Sequence, residues 1–238
     1  MNKILLVLLF LLIKTYDSNA QSVRELNSAE KAAIGKVSTA ITEAFNNFDT
    51  PDWEKVQDYY SEPEVTIHPV VPIDIDQNFQ RDYQMKEQST SFNKLIMPLI
   101  NKVNAYMEQK KYDSVQALGK TISALRKFTL YAYVNRQNIN IHPGAQNFTP
   151  FQLEGCDFAY QSNEDQYSNK TKTYWLLFGN WSKAQWDQEN GWLHFRFNHQ
   201  PNTPYVENVV IIIIGDNDYI KQVVQKADWG KIKNALTL

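Results

Sequence analysis

Six branched aliphatic residues in succession, Val209-Val210-Ile211-Ile212-Ile213-Ile214, constrain this 238-residue chain more than any other feature. Successive side chains of a strand point to opposite faces, so the run presents apolar surface on both. Such a strand is stable only in the middle of a sheet, with a packed layer on each side. The predicted strand covers 206–214 and ends in Gly215-Asp216-Asn217-Asp218. A calcium ion would want about six or more oxygens, and this stretch offers fewer. The expectation is punctuation: Gly215 leaves the strand through a positive φ, and an aspartate caps a helix beginning near Tyr219.

Upstream of that strand, apolar residues alternate from Phe128 onward. "FTLYAYVN" puts Phe128, Leu130, Ala132 and Val134 on one side and Tyr131 and Tyr133 on the other. "FQLEGCDFAY", "KTYWLLFGNW" and "GWLHFRFNH" read as further strands, joined by polar turns that favour an antiparallel meander. Helical spacing returns over 219–227 and 229–236.

The N-terminal half shows a helical period instead. Asn27 followed by Glu30 is a capping-box start, and Ile34, Val37, Ile41, Ala44, Phe45 and Phe48 form one stripe. Thr50-Pro51 predicts a second helix with Trp53, Val56, Tyr59 and Tyr60 on its buried face. Pro63, Pro69 and Pro72 mark 61–79 as a loop. Phe92, Leu95, Ile96, Leu99, Val103 and Tyr106 predict another helix, which Pro98 kinks or begins. Asp113 and Gln116 are expected to cap the next one, antiparallel to it across "QKKYD". The two helix pairs echo each other in sequence, as duplicated partner-binding scaffolds do. The predicted architecture is α+β: N-terminal helical hairpins over 21–127, packed with a C-terminal antiparallel sheet of about five strands and a closing helix over 128–238. The two regions are expected to form one domain.

Residues 1–20 read as a secretory signal peptide: Lys3, an apolar run over 4–13, then Ser18-Asn19-Ala20 before the cut. That run falls short of the roughly twenty residues a spanning helix needs, and no later segment reaches it. The expected location is the periplasm or the outside of the cell, with no membrane span after cleavage. Cys156 is the only cysteine. An internal disulfide and a multi-cysteine zinc site are therefore excluded, and Cys156 is expected to be a buried, inert thiol. With 24 Lys and Arg against 26 Asp and Glu, the chain has no electrostatic footprint for nucleic acid.

Three groups of residues could carry a function. His68, His142 and His199 sit beside prolines and could converge on zinc or copper, although no paired spacing places two ligands on one element. Trp181, Trp186 and Trp192 flank a polar turn and could stack on sugar faces or anchor a protein partner. Glu154, Asp157, Asp187 and Glu189 could supply the carboxylate pair of a glycan-directed hydrolase. GxSxG, P-loop, GxGxxG and HExxH motifs are missing from the sequence. The leading expectation is an exported, non-catalytic binding or interaction protein without a cofactor. Its partner, a protein or a carbohydrate, would meet the three tryptophans. A glycan hydrolase and a periplasmic metal-binding protein are the alternatives.

Overall fold

The aliphatic run forms a strand, Asn208–Asp216, inside the larger of two antiparallel sheets. The computed structural model describes residues 22–67, 74–141, 148–162, 171–179, 181, 184–187, 189, 191–195, 197 and 206–236. The predicted signal peptide lies outside them. In chain order come β1 (Ser22–Arg24), α1 (Ser28–Asn46), β2 (Trp53–Tyr60), β3 (Glu64–Ile67) and β4 (Asp74–Met85). A π-helical turn, Phe92–Ile96, leads into α2 (Met97–Glu108) and α3 (Tyr112–Leu125). Then follow β5 (Lys127–Val134), β6 (Asn138–Ile139), β7 (Phe148–Phe151), β8 (Phe158–Ser162) and β9 (Thr171–Gly179). The chain continues through β10 (Gln185–Asp187), β11 (Trp192–His194), β12 (Asn208–Asp216), α4 (Asn217–Val224) and α5 (Gly230–Leu236). The molecule is α+β, as the pattern of periods predicts.

The large sheet has nine strands in the order β1-β3-β4-β5-β12-β9-β8-β7, with β2 also paired to β4; the small one runs β10-β11-β6. β12 lies between β5 and β9. Its two apolar faces serve two separate interiors. Val209, Ile211 and Ile213 join the main core beneath α1, α4 and α5, while Val210 enters a second core shared with the small sheet. A strand that parts two hydrophobic interiors has no polar side, which is why the run needs no alternation.

Local signals hold at several ends. The Asn27 side chain accepts from the Glu30 amide at 3.0 Å, and the Glu30 carboxylate accepts from the Asn27 amide at 2.7 Å. α1 then buries Ile34, Val37, Ile41, Ala44 and Phe45 on one stripe. Pro98 stands in the first turn of α2, where its missing amide hydrogen costs nothing. Asp216 caps α4 by accepting from the Tyr219 amide at 2.8 Å. Gly215, however, stays in the strand without a positive φ. Glycine is required there for space: a Cβ would lie 2.4 Å from that of Phe128 on the neighbouring strand.

Other expectations are corrected. The segment predicted as a second helix is β2, and Val56, Tyr59 and Tyr60 are exposed. Its aromatic and branched residues suit a strand as well as a helix, and the edge of β4 supplies the pairing that decides between them. The proline-marked loop contains β3 and much of β4, while Pro69 and Pro72 lie outside the described residues. The apparent duplication disappears, since the first unit is a helix followed by a strand. The N-cap of α3 is Lys111 without a side-chain cap, so Asp113 lies within the first turn. "FQLEGCDFAY" is not one strand but the end of β7, a turn through Gly155 at φ 78°, and the start of β8. Among the described residues no helix is long and apolar enough to cross a membrane.

Candidate functional site

The three tryptophans do not share one surface. Trp181 is 2 % exposed, donates its indole N–H to the Phe178 carbonyl at 3.0 Å, and meets Phe195 edge-on at 4.9 Å between centroids. It is a central ring of the second core. Trp186 and Trp192 lie on β10 and β11, both half-buried. Trp186 sits opposite Leu193 and packs against the second core, whereas Trp192 borders a cleft.

That cleft, about 230 Å³, opens between the small sheet and the face of β5, β12 and β9 turned away from the helices. Val210 and Ile212 give it an aliphatic base, and Tyr133, Trp175 and Trp192 give it aromatic sides. The exposed Arg136 and Asn140 stand at its mouth. No carboxylate lines it among the described residues.

Arg136 is held by the end of β5. Asn135 takes a left-handed φ of 53°, which asparagine tolerates better than most residues, and this ends the strand. Asn208, fully buried at the head of β12, then clamps the Arg136 backbone on both sides. Its Oδ1 accepts from the Arg136 amide at 2.8 Å, and its Nδ2 donates to the Arg136 carbonyl at 3.0 Å. The guanidinium lies 5.0 Å from the centroid of the Tyr133 ring, and its Nε donates to the Asn138 carbonyl at 3.1 Å. Both contacts limit the freedom an arginine side chain otherwise keeps.

The remaining candidates are placed as follows. His68, His142 and His199 lie outside the described residues. His194 touches the Asn138 side chain through Nδ1 and the Asp187 carboxylate through Nε2 at 3.3 Å, which ties the small sheet together. Among the described residues no group of three His, Cys, Asp or Glu side chains is arranged to hold a metal. Asp157 accepts from the Gly179 amide and from Lys233, both at 2.7 Å. Asp187 accepts from the Glu189 amide at 3.0 Å, while Glu154 and Glu189 are exposed in turns. None of these four acids lines the cleft.

Cys156 lies in the turn before β8, with its thiol directed at the carbonyls of Phe158 and Leu177 at 2.9 and 3.3 Å. Burial pushes the thiol pKa up to about 12. Since the thiolate is the reactive form, alkylation of the folded protein at pH 8 should run at least about 100-fold slower than in denaturant. Comparable rates in the two conditions would show that the thiol is accessible.

Sequence reasoning missed Arg136, Tyr133, Trp175 and Asn140. The hints were the outer row of "FTLYAYVN", where Tyr131 and Tyr133 give an aromatic face to a strand already apolar on the other, and, for Trp175, the aromatic density over 174–197. No protein family, curated protein or solved structure matches the chain.

Proposed function

We propose that the protein is an exported, non-catalytic binding protein whose aromatic cleft takes a carbohydrate. The observation that carries the reading is the cleft itself: rings from β5, β9 and β11 converge on one hollow whose mouth is polar. Aromatic faces stack on the C–H faces of sugars, and amide or guanidinium groups pair with their oxygens. The hollow is smaller than the roughly 300–1,000 Å³ of pockets that engulf a drug-sized ligand. It therefore suits one ring at a time, the end or a single unit of a longer glycan. The engagement of Asp157 and Asp187 in backbone and side-chain contacts supports binding over hydrolysis.

A glycan array followed by tryptophan-fluorescence titration tests this. The wild type should bind at least one saccharide and release no new reducing ends from it. Trp192→Ala should weaken that binding by about tenfold or more, as loss of an aromatic anchor does. An array with no bound saccharide would overturn the reading, and so would a bound saccharide indifferent to Trp192→Ala.

A further inference from the structure

We infer that the cleft prefers an acidic sugar, a pyranose carrying a carboxylate, and that Arg136 meets that carboxylate; the inference rests on the carbohydrate reading above. Three observations converge. The terminal nitrogens of Arg136 have no acceptor among the described residues, although Nε and the Tyr133 ring fix the rest of the group. The indole N–H groups of Trp175 and Trp192 likewise have none, and the Asn140 side chain has no hydrogen-bond partner among the described residues. Among the described residues the lining thus offers donors in excess of acceptors, with one positive charge and no carboxylate to offset it.

A guanidinium presents parallel N–H groups in a plane, the geometry that two coplanar carboxylate oxygens accept. A neutral sugar would leave the charge of Arg136 without a counterpart. Asn208 holds the Arg136 backbone, and the Asn138 carbonyl and Tyr133 ring hold its side chain, so less ordering remains to be done when the acid arrives. Trp175 and Trp192 are the rings left for the sugar face, because Tyr133 is the platform for the guanidinium.

The test compares oligomers of galacturonic, glucuronic and mannuronic acid with the methyl ester of each, which keeps the rings and removes the charge. Tryptophan fluorescence of the wild type should report affinity at least about tenfold tighter for one acid than for its ester, and added salt should narrow the difference. Arg136→Gln should bring acid and ester within about twofold by weakening the acid alone, and Arg136→Lys should restore only part of the gap. Equal affinity for acid and ester would overturn the inference and leave the carbohydrate reading standing. Arg136→Gln weakening both ligands alike would also overturn it. If neither form of any of the three binds while neutral saccharides do, the inference fails alone; if no saccharide of any kind binds, both fail.

Discussion

Trp181→Ala lowers the unfolding free energy by about 3–5 kcal/mol, the range for removing a large buried aromatic. The ring is 2 % exposed, and truncation strips Phe195 of its edge-on partner and leaves the Phe178 carbonyl without its indole donor. The second core is small, built around Ile139, Ile141, Tyr160, Leu177, Leu193, Phe195 and Val210. It also holds the small sheet in place, whose pairings are short: three residue pairs join β10 to β11, and two join β11 to β6. So few ladder bonds cannot position a sheet unaided, and packing has to do it. The loss should therefore appear twice, as a lower urea midpoint and as loss of saccharide binding, because β11 carries one side of the cleft. Trp192→Ala should separate the two readouts, with binding lost and the midpoint moved far less. Equilibrium unfolding of both variants checks this. A Trp181→Ala variant within about 1 kcal/mol of wild type would mean that the small sheet is held by something other than this ring.

The contrast between these two tryptophans shows what the sequence can and cannot reveal. Aromatic density over 174–197 is plain on reading, but a core ring and a ligand-facing ring have the same composition. Burial distinguishes them, and burial follows from which face of β12 the second core covers. The central place of β12 was legible, because a run without alternation admits one solution. The start of α1 was legible too, since a capping box is local chemistry between Asn27 and Glu30. β2 was not. Its fate depends on the edge of β4, which the prolines had marked as loop. Arg136 was the least visible of all, because what fixes its backbone is Asn208, 72 residues further along the chain. A single asparagine ahead of a run of isoleucines carries no signal of that kind.

A second large effect, electrostatic in origin, belongs to the β2 segment. Arg81 is 3 % exposed on β4, directly across from Asp58 on β2. Its Nε and one terminal nitrogen donate to the two Asp58 oxygens at 3.0 and 3.1 Å, and the other donates to the Asn46 side chain at 2.9 Å. A register shift between Lys55 and Gln57 precedes that pairing, the kind of bulge that re-aims a side chain. Asp58→Ala leaves a buried guanidinium short of its counter-charge and should cost about 3–5 kcal/mol. Adding Arg81→Met to it should recover part of that loss, because the stranded charge disappears; the coupling in a double-mutant cycle should fall within about 0.5–3 kcal/mol. Acid supplies an independent check. Burial alone would raise the Asp58 pKa, but hydrogen bonds from Arg81, Lys55 and Tyr60 outweigh it and hold the folded value below the ordinary one. The unfolded chain therefore takes up the proton first as the pH falls. The stabilisation is complete above the ordinary aspartate pKa of about 3.9 and is lost as the pH drops through the lower folded value. The stability gap between wild type and Asp58→Asn should be constant near neutrality and shrink below that point. A gap that persists unchanged through the acid transition would show that the advantage of Asp58 over the amide does not come from the carboxylate charge.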